Sequence, residues 1–516
     1  MTKALMIQGT GSGVGKSLIV AGLCRLFRNA GVAVAPFKAQ NMALNSFITT
    51  EGGEIGRAQA LQAEAARVEP TFDMNPILLK ATSEASCQVI MHGKVHSNMD
   101  ARSYYAFKNE AWPAVTESFD RLSKMYELIV IEGAGSPAEI NLSNDEVVNM
   151  SVARYAQAPV ILVGDIDKGG VFASLFGTVA LLNEDARFIR AFIINKFRGD
   201  MAILEPGLRM ICEKTGRPVL GVIPYLGDLG LHEEDGIPLE RYSLNMKAGR
   251  PDRVKIVILR LRYIANFTDF DPFLYEPDVE VIYSLRAEDI ENADVVMIPG
   301  SKNTINDLQF LRETGIAANV KRATEKGAMV VGLCGGYQML GQKIFDPFGV
   351  ESNQKEIVGL GLLDTETVFE NSKVTAQAEA VLNRGSEFKV QCLPFNNDEI
   401  LKGYEIHMGR TTGDVGLFTL KRISASSELW APDSEHIKDG SAKGTVWGTY
   451  LHGIFDNDRF RRDFINVLRE KRGFKSISAT VDYAQVRDQA LEKWAAILQK
   501  NIDMRSIENI IHSPLV

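Results

Sequence analysis

The sequence predicts an α/β protein of two consecutive sheet-based units, the first a doubly wound parallel sheet. Three observations predict it. Short apolar or β-branched runs alternate with helical stretches, as in a parallel sheet covered on both faces. That rhythm stops at "NMKAGRPDRVK", Asn245–Lys255, where charge, glycine and proline gather, and then restarts. Each series also contains a strand that runs directly into a glycine turn and a helix.

The elements follow in order. The first series offers "KALMIQG", "VAVAPFK", "LIVIEGAG", "PVILVGD", "FIRAFIINKF" and "VLGVIPYL" as strands of an open α/β sheet. The second offers "VKIVILRL", "VEVIYS", "ADVVMIPGS" and "AMVVGLCGG". The glycine-punctuated runs "VGLGLLDTETVF", "KGYEIHMG" and "GTVWGTYLHG" then suggest antiparallel additions. The closing "YAQVRDQALEKWAAILQKNI" carries an apolar stripe at helical spacing. The expected division is 1–245, a linker at 246–255, 256–470, and a helical extension at 471–516.

With 516 residues, 45% of them apolar and 24% charged, the chain can bury more than one core. The net charge of −8, without an arginine- or lysine-rich block, speaks against nucleic acid as a partner. No apolar run is long enough to span a bilayer and no signal-peptide cleavage pattern follows Lys3, so a cytoplasmic protein is expected. Five cysteines, Cys24, Cys87, Cys212, Cys334 and Cys392, form no C-x-x-C pair, which suggests neither a disulfide framework nor a zinc site.

In "GTGSGVGKS" the first glycine of a strict G-x-x-x-x-G-K-[ST] loop would occupy position 10, which is Thr10, with Gly9 beside it. Context outweighs that departure, because "KALMIQG" is a strand and "KSLIVAGLCRLFRNAG" an amphipathic helix. Backbone N–H groups from Gly11 through Gly13 and Gly15 to Ser17 would converge on phosphate oxygens, with Lys16 reaching the terminal phosphates of ATP. Ser17 and Glu132, the latter closing the strand of "LIVIEGAGS", are the candidate Mg²⁺ ligands. In "PFKAQNMALNS" Lys38 stands at the end of the second strand, and Asn41 and Asn45 are candidate substrate contacts. Asp165 and Asp167 mark a loop at the carboxyl edge of the sheet or a solvated acidic turn.

In "AMVVGLCGGYQMLG" a strand enters Cys334 between glycines, and a helix follows. A cysteine on such a turn exposes its sulfur, and nearby amides favour the thiolate and can form an oxyanion hole. The nucleophile needs a base; His452 in "GTYLHGIFD" is preferred over His407 in "GYEIHMGR", whose other roles are structural or in substrate contact. An ATP-binding loop and a thiol that releases ammonia from glutamine together suggest amide formation, since a carboxylate must be activated before ammonia can displace its oxygen.

The loop G-T-x-x-x-V-G-K-S resembles that of the dethiobiotin synthetase group. Switch and partition ATPases of the same superfamily carry a signature lysine where this chain has Gly11. In the resembling synthetases the glutamate of E-G-A-G, here Glu132, serves Mg²⁺, and a lysine at the position of Lys38 lies near the phosphates. The setting of Cys334 and His452 resembles class I glutamine amidotransferases, which usually place glutamate two residues after the histidine. Here that residue is Ile454, so a Cys–His dyad or another acid, with Glu405 the guess, would have to serve. The blocks "PFKAQNMALNS", "EIGRAQ", "IEGAGSPAEINL", "GDIDKGGVFAS", "NKFRGD", "GVIPYL", "GLCGGYQMLG", "GYEIHMG" and "GTYLHGIFD" together resemble the cobyric acid synthase family. That resemblance implies ATP-, Mg²⁺- and glutamine-dependent amidation of carboxylates b, d, e and g of a corrin, adenosylated cobyrinic acid a,c-diamide. An a,c-diamide synthase shares both halves but lacks "KAQNM" and "EIGRAQ". A P-loop switch ATPase with a vestigial amidotransferase domain is the rival of another class. A homo-oligomer is compatible with the sequence.

Overall fold

The computed structural model describes residues 2–82, 86–141, 146–227, 231, 252–383, 399–423 and 436–514. The chain divides into two compact units. One comprises 1–43, 54–236 and 485–516, the other 44–53 and 237–484. The linker expected at 246–255 lies outside the described residues up to position 251, and a strand already begins at Val254.

The first unit is organised by six parallel strands: β1 (Lys3–Gly9), β2 (Val34–Phe37), β3 (Leu128–Glu132), β4 (Val160–Asp165), β5 (Ile189–Phe197) and β6 (Val219–Pro224). Their order is β6-β5-β4-β1-β3-β2, so the chain reverses direction across the sheet beside β1. Strands β1, β3 and β4 are buried almost throughout, as their continuous apolar runs require of a sheet covered on both faces. Helix α1 (Lys16–Asn29) follows β1 through the glycine loop and helix α2 (Arg57–Ala66) lies beside it. A smaller sheet pairs Gln40–Met42, Ile77–Ala81, Ser86–Met91 and Lys94–Asp100; its short, partly polar strands had no legible alternation.

The terminal stripe finds its partner here. Leu491, Trp494, Leu498 and Ile502 are buried against α1 and join the core of β1 and β3, and Trp494 Nε1 donates to Leu18 O at 2.5 Å. Gly22 permits that approach, because a Cβ there would lie 2.3 Å from Leu498 Cδ1. Buried Arg25 donates to Asp488 and Glu492 at 2.7 Å each.

The second unit contains β7 (Val254–Leu259), β8 (Val279–Ser284), β9 (Val295–Ile298), β10 (Met329–Leu333), β11 (Thr365–Leu382), β12 (Leu401–Gly413) and β13 (Val446–Thr449). The parallel sheet runs β8-β7-β9-β10-β13 and ends on an antiparallel strand, Ser441–Lys443. Long strands β11 and β12 pair antiparallel in a second sheet, the addition that the glycine-punctuated runs predict. Among the described residues four cysteines are free, and no helix is long and apolar enough to cross a membrane. Cys392 lies outside the described residues.

Replacing Trp494 by alanine removes a large buried ring and its hydrogen bond; we expect a loss of about 3–5 kcal/mol in the unfolding free energy of the first unit, read from denaturant titration.

Candidate active site

Two sites emerge, one in each unit, both where parallel strands end.

In the first, β1 delivers the chain into a loop whose Gly13 and Gly15 adopt φ of 68° and 96°, values that side-chain-bearing residues rarely take. Gly15 is the N-cap of α1 and gives no side-chain cap, so first-turn amides remain directed at the loop's concavity. A Cβ on Gly11 would enter open space. Three lysines reach successive loop carbonyls: Lys16 donates to Gly11 O at 2.9 Å, Lys168 to Ser12 O at 3.4 Å and Lys196 to Gly13 O at 2.6 Å. Lys16 also donates to Gly135 O at 3.2 Å, spanning from its own loop to the one after β3. Asn149 fixes that second loop by donating to Ala134 O and accepting from Ala134 N.

Glu132 at the end of β3 is the hub. Its carboxylate is fully buried and accepts from Ser17 Oγ at 2.7 Å, Lys38 Nζ at 2.8 Å, Gln62 Nε2 at 2.5 Å and Gln59 Nε2 at 3.4 Å. Burial pushes its pKa up, but the Lys38 charge and the bonds from Lys38, Gln62 and Ser17 outweigh that and hold it below the ordinary value. An ionised carboxylate beside a serine hydroxyl is a hard-oxygen pair of the kind Mg²⁺ takes, its remaining positions being filled by water and phosphate. The residues therefore fit the ion. Asp165 and Asp167 are otherwise engaged: Asp165 is buried, accepts from the Asp167 amide and lies 3.5 Å from Lys196, while Asp167 pairs with Arg198 at 3.0 Å. Asn41 donates to Gln59 at 3.0 Å.

In the second site β10 ends at Cys334, which sits at φ 50°, ψ −108°, a conformation sterically costly for a residue with a side chain. The short helix α3 (Gly335–Leu340) begins immediately after it. The glycines make the turn possible, since a Cβ on Gly336 would stand 2.0 Å from Ile298 O. The thiol is half-buried and lies 3.5 Å from Ile406 O. Its own amide is bonded to Thr449 O, whereas the Ser301 amide nitrogen lies 2.8 Å from where a Cβ of Gly335 would project.

His452, just after β13, is buried and borders Gly300 together with Cys334: a Cβ on that glycine would stand 3.5 Å from His452 Cε1 and 3.8 Å from Cys334 Cβ. Its Nδ1 donates to Asp269 Oδ2 at 2.7 Å, and the other carboxylate oxygen of Asp269 accepts from Gly453 N at 3.0 Å. Tyr404 stacks on the imidazole, with ring centres 5.2 Å apart and planes inclined at 15°. Burial drives the imidazole pKa down, but the negative charges of Asp269 and Cys334 and their hydrogen bonds prevail and raise it to about 10.

Asp269 is the residue that sequence reasoning missed, and it corrects the guess of Glu405. Glu405 accepts from His407 Nε2 at 3.1 Å and from Arg422 at 2.5 and 3.0 Å. Burial raises its pKa, and those partners overcome burial to bring it to about 2. His407 stacks on Tyr450 at 3.9 Å and bonds Gly409 O, in the structural arrangement that was one of its expected roles. Ile454 is wholly buried in the apolar core. No spacing signal marks Asp269, which comes from a 3₁₀ helix at the other end of the unit's sequence. Lys168, Lys196, Gln59 and Gln62 were likewise without a role; the only hint for the glutamines was their three-residue spacing along one helix face.

A nucleotide-type glycine loop over one parallel sheet and a cysteine–histidine–aspartate cluster on another define a two-unit glutamine amidotransferase coupled to a nucleotide-binding domain. Residues 5–239 match the CobQ/CobB/MinD/ParA nucleotide binding domain, and residues 255–460 match the CobB/CobQ-like glutamine amidotransferase domain. Cobyric acid synthases of Thermodesulfovibrio yellowstonii and Thermoanaerobacter sp. are 47% and 48% identical to the chain, each alignment covering 99% of both sequences. That of Limosilactobacillus reuteri is 48% identical over 99% of this chain and 98% of its own. The chain belongs to the cobyric acid synthase family, glutamine-hydrolysing amide-forming ligases of cobalamin biosynthesis.

Because its pKa is raised above the ordinary 6.5, protonated His452 contributes stability that is complete below that pH and lost as pH climbs through about 10. In Asp269→Asn the counter-charge is gone and burial remains. The imidazole titration, followed by NMR of the ring Cε1 proton, is expected to move downward from about 10; an unmoved titration would refute the pairing.

Proposed function

We propose that the protein converts carboxylates b, d, e and g of adenosylcobyrinic acid a,c-diamide to carboxamides, using ATP and glutamine-derived ammonia, to give cobyric acid. The observation that carries the glutaminase half is Cys334 on its strained turn, sharing the border of Gly300 with a histidine whose Nδ1 donates to Asp269. Similarity to cobyric acid synthases along nearly the whole chain supports the corrin acceptor.

In this reading the Cys334 thiol gives its proton to His452 as Sγ attacks the side-chain amide carbon of glutamine. The oxyanion is met by backbone N–H groups of the Ser301 and Gly335 region. The carbon–nitrogen bond then breaks, the departing nitrogen takes a proton from His452, and ammonia leaves behind a thioester. His452, now neutral and oriented by Asp269, removes a proton from water; the hydroxide cleaves the thioester, releasing glutamate and the thiol.

In the nucleotide-binding unit the first-turn amides of α1, with Lys16, hold the ATP phosphates, and Gly11, Gly13 and Gly15 let the backbone approach them. Lys38, paired with Glu132, would meet the phosphates and the acceptor carboxylate, as the lysine at its position in the resembling synthetases implies. Ser17 and Glu132 would hold Mg²⁺, which when bound would supply neutralisation of phosphate charge. The acceptor carboxylate attacks the γ-phosphorus and ADP departs; ammonia attacks the acyl phosphate carbon, phosphate leaves and the nitrogen sheds a proton. Residues 1–245 thus serve as the synthetase half and 256–470 as the glutaminase half of a cytoplasmic enzyme.

Mass spectrometry of the corrin tests both halves. Cys334→Ala is expected to abolish amidation from glutamine while sparing amidation from ammonium salts; loss of both would refute separate centres. Lys16→Ala should lower amidation from either source by about a hundredfold or more with glutaminase still measurable; undiminished amidation would refute the loop's role.

A further inference from the structure

The segment 44–53 lies in sequence within the nucleotide-binding half, yet it packs as part of the amidotransferase unit. It is built into the support of His452. Asn266, at φ 52° in the left-handed region, is the N-cap of the 3₁₀ helix Phe267–Tyr275 that carries Asp269. An asparagine there would ordinarily cap its own helix. Its side-chain oxygen instead accepts from Ser46 N at 2.9 Å, and the first helical amide, Phe267 N, donates to Asn45 Oδ1 at 3.2 Å. The two asparagines have exchanged partners across more than two hundred residues of sequence, and both are buried.

The exchange reaches the imidazole from two sides. The side-chain nitrogen of Asn266 lies 3.5 Å from His452 Nε2, the ring edge opposite Asp269. Tyr404, stacked on the ring face, donates from its hydroxyl to Ser46 O at 3.4 Å and packs its ring against Phe47 at 6.0 Å. Ile48 shares a small apolar cluster with Tyr404 and Ile406. Further along, Thr375 Oγ1 donates to Gly52 O at 3.0 Å, and Gln377 donates to Ile48 O.

We propose that Asn45 is a positioning residue of the glutaminase. It caps the helix that carries Asp269 and frees Asn266 to hold Ser46, so that the strap 44–53 sets the orientation of His452. This role replaces the expected one, contact between Asn45 and the substrate. It also makes the amidotransferase unit dependent on residues that the chain supplies from the other half. The strap begins six residues after Lys38, which follows β2 in the chain. The inference rests on the Cys334–His452 reading of the glutaminase.

The test compares Asn45→Ala, Asn45→Asp and Cys334→Ala in the full chain, with glutamine or ammonium chloride as nitrogen source. Misplacement of a catalytic base by an ångström or less costs on the order of ten- to a hundredfold. Asn45→Ala is therefore expected to lower glutamine-dependent kcat by at least about tenfold, to leave ammonium-dependent amidation unchanged, and to shift the His452 NMR titration. Asn45→Asp, which keeps the accepting oxygen, is expected to restore most of the rate. Equal loss with both nitrogen sources in a folded Asn45→Ala protein would return Asn45 to the acceptor site and overturn the proposal, as would unchanged glutamine kinetics. If Cys334→Ala still used glutamine, the underlying reading would fail instead. A fall in the melting temperature of Asn45→Ala without the titration shift, or without rescue by Asn45→Asp, would make the residue merely structural.

Discussion

A charge removed from water has to be met at once by an opposite charge or by directed hydrogen bonds, and the contact between Asp269 and His452 is where this constraint bears hardest. The imidazole is enclosed by Tyr404, Gly300 and Cys334, and a Cβ on Gly300 would come within 3.5 Å of its ring. A lone neutral ring in such a place would titrate below the ordinary histidine value. The carboxylate reverses the sign, and with it the chemistry: the ring holds a proton to give to departing nitrogen and returns it on the next step. Position, tautomer and basicity all follow from one 2.7 Å contact.

The nucleotide-binding unit solves the same problem with the charges exchanged. Glu132 is the buried ion there, and Lys38, Ser17 and two amides from α2 hold it. The partners arrive from one strand end and two helices, which is what the carboxyl edge of a parallel sheet provides. A carboxylate held ionised and close to a hydroxyl is prepared for a divalent ion before any arrives. The three lysines on consecutive loop carbonyls keep the glycine loop open against its own flexibility.

Much of this was legible in the chain. All six strands of the first parallel sheet lie within the runs that periodicity marked, because a strand buried on both faces must be continuously apolar. Cys334 and His452 stood out because glycines and strand ends announce turns. The small sheet of residues 40–100 was not read, since its polar strands alternate poorly. Asp269 was not read because a supporting carboxylate needs only proximity in space. "NFTDFDP" shows an acid on a short helix, and nothing in it names a partner 183 residues away. The stripe on Tyr483–Asn501 disclosed an apolar face but not that α1 would cover it, for periodicity specifies a surface and not its neighbour.

That last attachment bears on how the polypeptide matures. Leu491, Trp494, Leu498, Ile502 and Ile507 complete a core whose other members include Leu5 and Ile7 of β1 and Ile19 and Leu23 of α1. During synthesis those early residues leave the ribosome long before the ones that shield them. The outer side of α1 therefore stays uncovered until residues 491–507 have been made, so the nucleotide-binding unit completes its core only after the intervening amidotransferase unit has been synthesised.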